Sequence, residues 1–209
     1  IWSNQTTALY DETEVTARYF HDYNIVVIPT AIITRPFFYL DGPMAMNYGG
    51  LGMIIAHELM HAFDVRGIDS EPWATNAFMK RYTERALCLR KSHKSVLSLS
   101  RRQDTLNDTV DSENLADLVG TKIAYMAFTS LPAEYKAHTL AGLNMSEKQL
   151  FFIIHCAKFC AQYSVPSNRY APFRSRCIVP LMNMREYSWA FGCPEGAPMN
   201  PYSKCNFWF

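Results

Sequence analysis

The sequence carries almost no net charge: 20 Lys and Arg stand against 19 Asp and Glu over 209 residues. A basic face for nucleic acid or for an anionic membrane is therefore not legible, and neither partner is expected. Long apolar runs are lacking too. The stretch 25–33 is broken by Pro29, and the run 151–154 is bounded by polar residues. Both fall far short of the ~20 residues that span a bilayer, so no membrane segment is expected in this chain. Gly is scarce, at 9 residues, and Pro no more than ordinary, at 11, which excludes a collagen-like chain or a linker. What remains, 49% apolar and 19% charged, is the composition of a folded domain. The length fits one domain that buries roughly 70% of its unfolded surface. The chain opens on Ile1 without a signal peptide, and is read as part of a longer polypeptide.

Paired C-x-x-C spacing, the mark of a structural zinc site, is also missing. The six cysteines, Cys88, Cys156, Cys160, Cys177, Cys193 and Cys205, are better read as disulfides. Three N-x-[ST] triplets, at Asn4, Asn107 and Asn144, are candidate glycosylation sites. Together they favour the secretory pathway, where disulfides persist.

Apolar spacing predicts helices over residues 49–64, 73–94 and 112–130. Ser146 and Gln149 form a capping-box signature ahead of the apolar run 150–163. Residues 24–29 read as a short strand ended by proline, and 192–209 as loop. The fold class expected is α+β, predominantly helical, with a small edge-strand element.

His57-Glu58-Leu59-Met60-His61 places two imidazoles one helical turn apart on one face. Both can reach a single zinc ion, and Glu58 is placed to take a proton from an attacking water. A catalytic zinc wants a third protein ligand. Glu113-Asn-Leu-Ala-Asp117 offers one in Glu113, while Asp117, one turn on, can fix the tautomer of a ligating histidine. Two core histidines and a solvated acidic pair are the bland alternative. The apolar residues around Glu113 and Asp117 argue against a solvated face. The pairing is the layout of a gluzincin-type metallopeptidase.

These motifs stand among I-V-V-I-P, R-P-F-F, N-Y-G-G-L-G-M-I-I-A-H-E-L-M-H-A-F-D, E-N-L-A-D, K-Q-L-F-F and C-P-E-G-A-P-M-N-P-Y-S-K-C. With them the chain resembles the C-terminal catalytic portion of the neprilysin/endothelin-converting-enzyme family of zinc peptidases. The resemblance implies a thermolysin-like zincin domain, of which residues 1–209 are a part. It implies one Zn2+ per chain on His57, His61 and Glu113, with Glu58 as base and Asp117 behind the ligands. Ile32, Phe37, Met53, Ile54 and Phe159 match positions that wall the pocket for the residue after the scissile bond. That implies peptide substrates cut on the amino side of hydrophobic residues. It further implies a secreted protein or an ectodomain, with an N-terminal lobe that closes over the site and an anchor, both outside this chain. Cys88 matches a cysteine bridged to Cys205; Cys160 and Cys193 match cysteines that pair with the N-terminal part. A Cys156–Cys177 bridge is an additional expectation.

Two departures concern substrate handling. The family's substrate-binding strand motif reads Thr16-Ala17-Arg18-Tyr19, with Thr16 in place of an asparagine. Tyr170 stands where the family has an oxyanion-stabilising histidine, ahead of Arg176, the residue expected to hold the substrate carbonyl, with Arg174 the alternative if the loop shifts. The span between His61 and Glu113 is also shortened. These changes keep open a second reading, a zinc-binding but catalytically weak homologue that binds peptides.

Overall fold

The computed structural model describes residues 11, 13–65, 74–96, 108–160 and 169–207. Among them a two-stranded antiparallel ribbon, β1 (Arg18–Phe20) and β2 (Ile25–Val27), precedes a set of helices. These are α1 (Met44–Asn47), α2 (Met53–Met60), α3 (Asn76–Val96), α4 (Asp108–Ser130), α5 (Ala133–Lys136), α6 (Glu147–Ala157), α7 (Phe173–Met182) and α8 (Arg185–Ala190). The α+β, predominantly helical class expected from the sequence is what is seen.

The centre of the fold is α4. Its residues 110–121 are all buried, so the acidic residues on it lie in the interior rather than on a solvated face. Leu115, Leu118 and Val119 pack with Tyr82 and Leu89 of α3, with Val179 of α7 and with Phe207. The other half of α4 feeds an aromatic core. Tyr125 stacks on Phe152 at 5.0 Å, and Phe128 on Phe151 at 5.8 Å. Such ring pairs add about 0.5–1.5 kcal/mol each beyond the area they bury. A small third cluster of Ala17, Ile32 and Leu51 seats the ribbon against the helix that carries the histidines.

Several boundaries differ from those predicted. The helical stretch read as 49–64 begins already at Met44 and contains a π turn over Tyr48–Gly52. There the Leu51 N–H is bonded to the Phe37 carbonyl at 2.8 Å instead of within the helix. A Cβ on Gly50 would overlap that same carbonyl oxygen, so glycine is required for the approach. The helix predicted over 73–94 spans Asn76–Val96, and the one over 112–130 starts at Asp108. The apolar run 150–163 is not one helix: α6 ends at Ala157, and the next two residues turn into the cleft described below. Its start is as expected, with Ser146 Oγ accepting from the Gln149 N–H at 3.2 Å and Gln149 Oε1 from the Ser146 N–H at 2.9 Å. Helices α7 and α8 were not anticipated.

Disulfides tie the ends of this arrangement. Cys88 on α3 is bridged to Cys205, and Cys156 on α6 to Cys177 on α7. Cys160 and Cys193 carry free thiols.

Candidate metal centre and substrate cleft

Helix α2 and the 3-10 turn that continues it at His61–Phe63 turn His57 and His61 toward α4, with their rings 5.0 Å apart. Opposite them Glu113 Oε2 lies 3.1 Å from His57 Nε2 and 3.6 Å from His61 Nε2. Zinc bonded to tetrahedral ligands at 2.0–2.1 Å holds its donor atoms about 3.3 Å apart. The two distances from Glu113 to the imidazole nitrogens bracket that spacing. Gly120 permits it. A Cβ there would sit 2.8 Å from the backbone nitrogen of His57, so only glycine lets α4 run this close to α2.

Glu58 lies beside the histidines. One donor atom from each of His57, Glu58 and His61 falls within 4.8 Å of the others, so Glu58 is within reach of the same ion. Its Oε2, however, accepts a 2.9 Å hydrogen bond from the Tyr19 N–H of β1. That N–H is thus spent on Glu58 and not on Val26, the residue of β2 in register with Tyr19. Ala17 shares the orientation of Tyr19, since backbone groups alternate along a strand.

A second layer of charge surrounds these residues. Asp117 Oδ1 lies 3.0 Å from His57 Nδ1, and the carboxylate accepts from Arg176 Nε at 2.7 Å and Nη2 at 2.9 Å. Asp64 Oδ2 is 2.8 Å from His61 Nδ1, and its other oxygen is 3.4 Å from His21 Nε2. Arg169 Nε donates to Glu113 Oε1 at 2.6 Å. Asp64 and Arg169 were missed in the sequence. The H-x-x-D spacing after His61 was a signal for the first, and nothing local marked the second.

The electrostatics follow from burial set against pairing. Burial alone would lower His57, but Asp117 and Glu113 outweigh it and push its pKa up to about 9. The imidazolium and guanidinium partners hold Glu113 and, much further, Asp117 below the usual carboxylate range despite their burial. Glu58 is raised, chiefly by burial. Glu58, Asp64, Glu113 and Asp117 supply four carboxylates against the two guanidiniums of Arg169 and Arg176. That excess of negative charge around two imidazoles suits a divalent cation.

A cleft of about 600 Å³ opens over His57, Glu58 and His61. All seven residues expected to contact substrate border it. Thr16 and Ala17 lie with the ribbon; Ile32, Phe37, Met53, Ile54 and Phe159 form a largely apolar wall. Tyr170 and Arg176 line it as well, the guanidinium 4.5 Å from the centre of the tyrosine ring. Burial raises the Tyr170 pKa, so its hydroxyl stays protonated and able to donate. Asn144 is exposed; the other two triplets, at Asn4 and Asn107, lie outside the described residues.

Residues 16–207 match the model of peptidase family M13. The chain belongs to that family. It is 32% identical to mouse membrane metallo-endopeptidase-like 1 and 33% identical to mouse endothelin-converting enzyme 1. In each case 93% of this chain and 27% of the relative are covered. Neprilysin-1 of Trittame loki is 30% identical, over 99% of this chain and 32% of that protein. The chain thus spans about a quarter to a third of these relatives. Among solved structures, a Haemonchus galactose-containing glycoprotein complex has the same fold, with TM-score 0.83 and 24% identity over 96% of this chain and 33% of its own. The Mycobacterium tuberculosis zinc metalloprotease ZMP1 superposes with TM-score 0.77 at 22% identity, over 96% of this chain and 33% of its own. No helix among the described residues is long and apolar enough to cross a membrane.

Proposed function

We propose that this chain is the zinc-bearing part of an M13 endopeptidase or oligopeptidase that hydrolyses short peptides on the amino side of hydrophobic residues. The observation that carries it is the convergence of His57, His61 and Glu113 at 3.1 and 3.6 Å, with Glu58 beside them at the floor of the cleft. One Zn2+ per chain on those three residues would polarise the scissile carbonyl and acidify the attacking water. Glu113 is preferred to Glu58 as third ligand because it faces both imidazoles, whereas Glu58 is held by the Tyr19 N–H.

The remaining steps belong to side chains of this chain. Glu58 accepts the proton of the attacking water and returns it to the leaving amine. Asp117 holds the His57 ring from behind and at the same time fixes Arg176. The Arg176 Nη1 takes no part in its two bonds to Asp117, and with the Tyr170 hydroxyl it donates to the developing oxyanion. An extended substrate lies along the free edge of β1, where Ala17 offers its backbone groups and Thr16 its hydroxyl. Its next side chain enters the wall of Ile32, Phe37, Met53, Ile54 and Phe159.

Residues 1–209 are read as part of a catalytic domain whose N-terminal lobe covers the cleft in the whole protein and supplies partners for Cys160 and Cys193. That protein is read as secreted or anchored with this part on the extracellular face, glycosylated at Asn4, Asn107 and Asn144. The alternative, a peptide-binding homologue with little turnover, draws on Tyr170 and Thr16 and on the hold of Arg169 on Glu113. Glu58→Gln in the full-length protein separates them. The peptidase reading expects zinc retained and hydrolysis of a quenched Phe- or Leu-containing peptide abolished; equal turnover in variant and wild type would remove Glu58 as the base. Full zinc and no turnover in the wild type would favour the binding role.

A further inference from the structure

One wall of the cleft is not apolar. Lys158, the residue after α6, lines it beside Phe159 and Met53. Its ammonium contacts the Met53 sulfur, lies 3.4 Å from His155 Nδ1 and stands 5.0 Å from the centre of the Phe159 ring. Arg176 meets that ring at 4.9 Å, so the two cations flank one side chain of the pocket.

They are not equivalent. Arg176 is committed to Asp117, and Arg169 to Glu113, each by a bond of 2.6–2.7 Å. No carboxylate among the described residues forms an ion pair with Lys158; the charges that act on it, Asp117 and Arg176, pair with each other. A cation sited in an apolar wall without a counter-charge is costly unless something brings one. Burial accordingly pushes the Lys158 ammonium down to about 7. Lys158 lines the cleft, so a counter-charge can reach it from there, whereas His155, 3.4 Å away, is fully buried and its pKa is depressed well below the usual value, so that it stays neutral.

We infer that Lys158 receives a carboxylate from the substrate, so that the pocket takes a glutamate-type side chain as well as an apolar one on the residue after the scissile bond. This rests on the peptidase reading and refines its pocket. Ile32, Phe37, Ile54 and Phe159 take the methylene stem or an apolar side chain, and Lys158 takes the acidic end. A glutamate is thereby distinguished from its neutral isostere glutamine, which the apolar walls alone would treat alike.

The test uses zinc-loaded full-length protein and three non-hydrolysable ketomethylene peptide analogues that differ only at that residue: Glu, Gln and Leu. Affinity is read by fluorescence anisotropy. A charge-assisted contact predicts Glu over Gln by about 10- to 100-fold. Lys158→Met, which keeps the stem and removes the charge, should bring that ratio to about one while Leu binding is kept, showing the pocket intact. A wild-type Glu/Gln ratio near one, or a ratio unchanged in Lys158→Met, overturns the inference. Turnover is measured separately on cleavable counterparts. A Lys158-dependent ratio without hydrolysis upholds the inference and overturns the peptidase reading; no binding of any analogue overturns both.

Discussion

Gly120→Ala tests whether the approach of α4 to α2 builds the site. The added Cβ would meet the His57 backbone nitrogen at 2.8 Å, its Cα at 2.9 Å and the Ala56 carbonyl carbon at 3.1 Å. Ordinary contact begins near 3.4 Å, so the helices must part by at least 0.6 Å. The obstacles are backbone atoms and cannot swing away. Overpacking of this kind costs about 1–3 kcal/mol. Replacing glycine inside a helix returns about 1 kcal/mol. The net expectation is a loss of about 0–2 kcal/mol, read as a melting temperature unchanged or lowered by a few degrees. The functional effect should be larger. Glu113 and Asp117 ride on α4 while His57 rides on α2, so the 3.1 Å Glu113–His57 and 3.0 Å Asp117–His57 distances both open. A misplacement approaching 1 Å costs on the order of 100-fold in rate. Zinc affinity by chelator competition, kcat/KM on a quenched peptide and thermal unfolding are measured on one preparation. Wild-type affinity and turnover, together with a raised melting temperature, would refute the reasoning, since the helix-propensity gain would then stand alone.

Further outcomes follow from the buried charges and the cross-links. Arg176→Met in metal-free protein leaves Asp117, 1% exposed, without its guanidinium partner and with only His57 beside it. Denaturant unfolding should show a loss of about 3–5 kcal/mol, much reduced when Asp117→Leu is added; equal losses in both would contradict this. His93 is 1% exposed and burial pushes its pKa down to about 4, against an ordinary 6.5. The unfolded chain therefore binds this proton first. Its contribution is intact above pH 6.5 and is lost as pH falls toward 4, by about 3 kcal/mol in all. His93→Leu should flatten that part of the stability profile, and an unchanged slope would reject the assignment. Cys88–Cys205 closes a separation of 117 residues and Cys156–Cys177 one of 21. By loop entropy, removing the first by paired Ser substitutions should cost about 1.5 kcal/mol more than removing the second; the reverse order in urea melts would contradict it.

The sequence reading was strongest where one local pattern carried both structure and chemistry. His57 in α2 and His61 at its C-terminal end need only helical spacing to share a face, and an acidic pair embedded in Leu115, Ala116, Leu118 and Val119 had little choice but to be buried. It was weakest where tertiary contacts decide. The π turn at Tyr48–Gly52 exists because Phe37, distant in sequence, accepts the Leu51 N–H. Helix α7 contains Pro180, which reads as a breaker, and α8 has six residues, too few for a period to emerge. The run 150–163 looked like one helix since its apolar residues serve two surfaces, the aromatic core up to Phe152 and the cleft at Phe159. Arg169 gains its meaning from Glu113, and Lys158 from Met53 and Arg176 across the cleft wall, all of them distant in sequence.

The most direct measurement of the central claim is the zinc content of purified full-length protein beside Glu113→Ala and Glu58→Gln. The geometry predicts one zinc per chain in the wild type and in Glu58→Gln, and its loss in Glu113→Ala. Zinc kept tightly in Glu113→Ala but lost in Glu58→Gln would make Glu58 the third ligand and contradict the proposed site.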